Sequence, residues 1–165
     1  MNKTISTELT RQNTANVIEL LADMPGRLEQ LSQPLSDVQL QRPLGSDERS
    51  FTEVLAHLIN SEARSSEAIY LALLAHEPVV PNIHPERQWG RLLKFEQLPF
   101  PDLMTYFKLR RTILLRVLSS LREEQWTRVI REEGKKRKES VYWRARSLAL
   151  HELEHLSDLQ RRLDI

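Results

Sequence analysis

Apolar residues recur along this chain at three- and four-residue spacing, the period of one helix face, in four separate stretches. Leu9, Val17, Leu20, Leu21, Met24, Leu28 and Leu31 make the first, with Pro25 placed to kink or restart the helix. Phe51, Val54, Leu55, Leu58, Ile59, Ile69 and Leu73 make the second, behind Ser46, Asp47 and Ser50 as candidate caps. The third carries Leu103, Phe107, Leu114, Leu118 and Leu121, with Asp102 at its start. The fourth carries Val141, Ala145, Leu148, Leu156, Leu159 and Leu163, with Ser140 as its N-cap.

Glycine and proline punctuate the chain in agreement with this pattern. They are absent from Met1–Met24, Ser46–Glu77, Asp102–Glu133 and Lys135–Ile165. Since a Gly or Pro inside a helix costs about 1 or 3 kcal/mol, the gaps mark four long helices. Leu occurs 28 times against eight Val and eight Ile, and no alternating run ends in Asn-Gly or Asp-Gly. The expected fold class is all-α, in one domain spanning residues 1–165, with no internal repeat. The 24 residues Pro78–Pro101 exceed the roughly 2–8 of a tight helical hairpin. Extended, they reach roughly 80 Å, more than the ~45 Å of a 30-residue helix. They form either a crossover between parallel helices or a loose surface loop.

Charge narrows the function classes. With 24 Lys+Arg against 23 Asp+Glu the net charge is +1, which removes the usual electrostatic reason to expect nucleic acid or a charged membrane surface as partner. No apolar run approaches the roughly 18 residues of a membrane helix, and the start lacks the features of a signal peptide, so a cytoplasmic protein is the expectation. Cys is absent, which excludes disulfides, thiolate metal sites and a cysteine nucleophile. A metal, if bound, must be held by His, Asp or Glu.

Five histidines are available: His57, His76, His84, His151 and His155. His151 and His155 are four apart, which puts both rings on one helix face within reach of one ion. His151-Glu152-Leu153-Glu154-His155 also satisfies the HExxH pattern of zinc proteases. Those enzymes take a third ligand from downstream, where only Asp158 and Asp164 remain as carboxylates, and no strand is expected to align a peptide. His57 is the obvious third ligand, although ideal helix geometry puts it roughly 60° outside its own apolar arc. Glu152 falls near the middle of the fourth arc, where an ionised carboxylate is costly unless paired. Two roles are open to it: acceptor for a ligating histidine or base beside the metal, or buried partner of Arg64, Arg110 or Arg111. Glu62 poses the same pairing question. His76 suits a helix C-terminus, and His84 lies in the proline-rich connection as a minor candidate for a lid contact.

The segment Ser50–Glu62 (SFTEVLAHLINSE) resembles the second-helix motif of the DinB/YfiT-like superfamily. Leu35–Leu40 resembles that family's linker, Leu118–Trp126 the end of its third helix, and His151–His155 its fourth-helix motif. The likeness runs from about Leu20 to Leu159. It implies a four-helix bundle in up-down-down-up order, with a long crossover between helices 2 and 3. It also implies one divalent metal ion, zinc, nickel or manganese, held by His57, His151 and His155. Family members include thiol-dependent S-transferases and mycothiol-dependent isomerases. The sequence departs from the pattern at Phe51, where Trp is common, and at Glu132–Lys138, which replaces a neutral connection.

Such a site acidifies a bound water or thiol. With no Cys in the chain, a sulfur nucleophile has to come from a small-molecule thiol. Lys135–Lys138, if beside the mouth, would draw in an acidic thiol or substrate. Three functions therefore stand: a metal-dependent enzyme on a small molecule, with thiol S-transfer foremost; a metal-binding bundle without turnover; and a helical interaction module, including a stress-response role. A homodimer is compatible with each.

Overall fold

Local signals start most of the long helices where the sequence places them. Ser50 Oγ accepts the Glu53 N–H at 3.2 Å while Glu53 Oε2 accepts the Ser50 N–H at 2.7 Å, a reciprocal capping box. Ser140 Oγ accepts the Trp143 N–H at 3.0 Å. The third long helix begins at Phe100, two residues before Asp102, because Pro99 and Pro101 need no N–H partner in a first turn.

The computed structural model describes residues 5–163; the extreme ends of the first and last tracts, and Asp164, lie outside them. In chain order the helices are α1 (Arg11–Ser32), the short α2 (Asp37–Gln41), α3 (Phe51–Leu74), the short α4 (Arg91–Leu93), α5 (Phe100–Ser119), the short α6 (Glu123–Trp126) and α7 (Val141–Arg162). One apolar cluster gathers Leu28 and Leu31 of α1, Phe51 and Leu55 of α3, Phe100 and Leu103 of α5, and Leu156 and Leu159 of α7. The other gathers Val17 of α1, Ala72 of α3, Leu118 of α5 and Val141 of α7. The C-terminal halves of α1 and α7 thus meet the N-terminal halves of α3 and α5. This agrees with an up-down-down-up order in which Pro78–Pro101 crosses back between two parallel helices.

The crossover is built rather than loose. It contains strand β1 (Val79–Val80), a π-type turn at Pro85–Gly90, α4 and a 3₁₀ turn at Phe95–Gln97. It packs on α3.

Two expectations are corrected. The helical tract Asp102–Glu133 does not stay helical: after α6 the chain enters strand β2 (Val129–Glu132), which pairs antiparallel with β3 (Lys138–Ser140) and parallel with β1. Burial of Val80 and Ile130 in the bundle core rewards this small sheet. Gly134, at φ +77°, makes the connecting turn without Asn-Gly or Asp-Gly. The other correction is at Pro25, where α1 does not restart but continues as one helix. Pro25 has no N–H for the carbonyl of Leu21. Arg111 Nη1 supplies the missing donor, at 2.6 Å from Leu21 O.

The same guanidinium does more. Arg111 Nη2 donates to Glu62 Oε2 at 2.9 Å and to Glu152 Oε1 at 2.5 Å. Arg111 is 1% exposed and both glutamates 0%. All four long helices therefore meet at one buried charge. We predict that Arg111→Met lowers unfolding stability by about 3–5 kcal/mol, because two carboxylates and a carbonyl lose their donor together. Urea unfolding with an unchanged m-value checks this; a loss under about 1 kcal/mol would contradict it.

Candidate metal centre

α3 and α7 pack along one another, and the seam between them carries three histidines. His57 comes from the second turn of α3, and His151 and His155 stand one turn apart on α7. Ring centroids lie 5.0 Å apart for His57 and His151, 4.7 Å for His57 and His155, and 4.6 Å for His151 and His155. One nitrogen from each ring falls within 4.8 Å of the others. The helical wheel misjudged His57 because it scores only the face toward the core. This ring instead faces the α7 seam, under the turn at Pro85–Gly90, and is mostly buried, with 12% of the side chain exposed.

The spacing of His57 and His151 fits a divalent ion. Two nitrogens held about 2.0–2.1 Å from one ion, at angles between octahedral and tetrahedral, stand roughly 2.8–3.4 Å apart. His57 Nε2 and His151 Nε2 are 2.9 Å apart, with Ser61 Oγ 3.4 Å from the latter. Burial is the main cause that lowers the pKa of all three imidazoles, for His57 to about 4. They are therefore neutral at pH 7, the protonation state in which imidazole binds a metal.

Glu152 points the other way. Its carboxylate is engaged by Arg111 in the core, one of the two roles open to it, and it makes no hydrogen bond to a ring nitrogen. Two buried carboxylates share one guanidinium, so desolvation raises the Glu152 pKa to about 7. Arg111, not Arg64, also pairs with Glu62, while Arg110 stands 3.7 Å from that carboxylate. Arg64 belongs to a separate network with Glu132, 3.5 Å away, that ties β2 to α3.

Sequence reasoning missed Glu86 and Arg49. Glu86 Oε1 lies 3.1 Å from His57 Nδ1, and the same oxygen pairs with Arg49 Nη2. Neither residue sits in a periodic stretch, and no local pattern says what a 24-residue connection folds over. His84 is not one of the clustered histidines: its Nδ1 accepts the N–H groups of Glu86 and Arg87, each at 3.2 Å, and so caps the turn that carries Glu86. His76 is exposed beyond the end of α3. Lys135–Lys138 form the β2–β3 hairpin at the N-terminal end of α7, ten residues or about 15 Å of helix from His151. Within that run Lys135 pairs with Glu132, Lys138 with Glu77, and Arg137 stacks on Trp143. The condition for steering substrate to the mouth is not met. A groove of about 320 Å³ lined by Tyr70, Trp89 and Arg110 includes none of the three histidines.

The family model of the DinB superfamily matches residues 20–159. Among solved structures, the fold is similar to that of YfiT from Bacillus subtilis, described as a probable metal-dependent hydrolase with an unusual four-helix bundle topology. The two superpose with a TM-score of 0.84 at 18% identity, over 98% of this chain and 93% of that one. No curated protein matches the chain. Among the described residues no helix is long and apolar enough to cross a membrane.

The lowered His57 pKa makes a prediction for the protein in chelator. Between pH 6.5 and about 4 the unfolded chain binds a proton at this position that the folded chain refuses, so the contribution is intact above pH 6.5 and lost as pH falls. The stability of His57→Asn relative to the parent should therefore rise as pH drops from 6.5 to 4, by at most about 1.4 kcal/mol per pH unit. Denaturant titrations at stepped pH measure this; parallel curves would contradict it.

Proposed function

The chain belongs to the DinB superfamily, and from that premise we propose that it binds one divalent metal ion through His57, His151 and His155 and uses it to transform a small molecule. The observation that carries the proposal is the convergence of three neutral imidazoles from two helices, with donor atoms within 4.8 Å of one another. Zinc and nickel suit an all-imidazole set better than manganese, which prefers oxygen.

A divalent ion held by His57, His151 and His155 would supply Lewis acidity, the means by which a bound water or thiol becomes more acidic. The chain's own residues do the rest. α3 and α7 set the spacing of the rings, burial keeps them unprotonated, and Arg111 holds the Glu152 and Glu62 charges inside the core. Each of the three rings keeps some exposure to solvent. The chain has no Cys, so a sulfur nucleophile has to be a low-molecular-weight thiol; thiol-dependent S-transfer is the finer reading we favour. The description of YfiT supports the alternative in which water takes that place. A metal-binding protein without turnover is the second reading. It is favoured by the engagement of Glu152 by Arg111 and of Glu86 by Arg49, which leaves neither carboxylate a free base.

The test is turnover. Protein loaded in turn with zinc, nickel and manganese is assayed against small thiols paired with electrophiles, and against esters and amides in water. We predict metal-dependent, thiol-dependent conversion that falls to background with chelator and in His151→Ala. Conversion without thiol would assign a hydrolase. Metal-loaded protein inert to every pair would leave the second reading.

A further inference from the structure

We infer that Glu86 is the positioning residue of the metal centre, orienting His57 so that Nε2 faces the ion, and that Arg49 limits the charge Glu86 lends to that ring. The inference rests on the metal reading above and deepens it.

The geometry of His57 carries the argument. Its Nε2 is turned toward His151, at 2.9 Å. A ring that gives Nε2 to an ion must keep its proton on Nδ1, and a buried N–H requires an acceptor. His57 Nδ1 is buried and makes no aligned hydrogen bond. The charged group at its side is Glu86 Oε1, 3.1 Å away. A small rotation of the half-exposed Glu86 side chain would align that oxygen with the N–H. A carboxylate behind a ligating histidine fixes its tautomer and raises its basicity.

The fold brings Glu86 there by several independent contacts. Its backbone N–H is held by His84 Nδ1, and the His84 N–H by Gln88 Oε1 at 2.7 Å. Gly90 lets the turn settle on α3: a Cβ at that position would meet Asn60 Nδ2 at 3.3 Å, one turn along from His57. Arg49, from the loop before α3, pairs with the same Oε1 that faces His57. A carboxylate oxygen shared with a guanidinium is a weaker acceptor for imidazole, and the guanidinium adds a positive charge near the ion. Glu86 and Arg49 should therefore act on metal affinity in opposite directions. Were the pair only a clamp on the turn, losing either member would weaken the site alike.

The experiment is a zinc affinity measurement by competition with a chromophoric chelator, on the full chain, for the parent, Glu86→Gln, Glu86→Asp and Arg49→Met. Melting temperatures of the chelator-treated proteins monitor folding. The expected results are about 10–100-fold weaker zinc binding in Glu86→Gln, an intermediate value in Glu86→Asp, and tighter binding than the parent in Arg49→Met. In the zinc-loaded parent, ¹⁵N-histidine spectra should show His57 protonated on Nδ1, with a downfield proton that moves upfield in Glu86→Gln. Glu86→Gln within twofold of the parent would overturn the assignment, as would weakening in both Glu86→Gln and Arg49→Met. A parent that takes up no zinc would overturn the metal reading itself, and this assignment with it.

Discussion

One buried guanidinium holds this bundle in its arrangement. Arg111 reaches from α5 to a carbonyl on α1, a carboxylate on α3 and another on α7. Each partner alone would be a liability in the core: a carbonyl stripped of its helical donor by Pro25, and two carboxylates with almost no solvent contact. Around Arg111 each gains one hydrogen bond, while Glu62 Oε1, Glu152 Oε2 and Arg111 Nε stay buried without one. Burial away from water is the main reason that both carboxylates have raised pKa values, a rise that Arg111 offsets only in part.

The three-histidine cluster is the consequence of that arrangement one residue away. Glu152 and His151 are neighbours on α7; as Glu152 turns inward to Arg111, His151 turns to the seam with α3. On α3 the spacing from Glu62 back to His57 does the same. Fixing the inward carboxylates therefore fixes the rotation of both helices about their axes, and with it the convergence of the rings. The crossover adds the outer side. It runs between two parallel helices, and in doing so lays the turn at Pro85–Gly90 over His57. Family membership and the likeness to the YfiT fold speak to this scaffold; the chemistry has to be argued from the residues.

Much of the scaffold was legible in the sequence because it is written in local signals. Period and punctuation give the four long helices, and Ser50 and Ser140 cap where a hydroxyl before an apolar run should. The His151–His155 spacing reads directly as one face of a helix. What was not legible depends on residues far apart in the chain. β1 and β2 pair across about fifty residues, so Val129–Glu132 reads as the tail of a helix until its partner is known. Pro25 reads as a break because its compensating donor, Arg111, lies 86 positions on. His57 reads as a surface residue on a wheel that knows only one helix. Glu86 and Arg49 give no sign at all, since their meaning lies in an oxygen shared between two loops.

The central claim is that imidazoles from α3 and α7 together hold one ion. X-ray absorption at the zinc edge, on untagged protein carrying one equivalent of zinc, tests it most directly. The account predicts scattering from three imidazole rings with nitrogen at about 2.0–2.1 Å, the remaining positions filled by lighter ligands. A spectrum with no imidazole or only one, or a protein that retains no zinc through desalting, would contradict it.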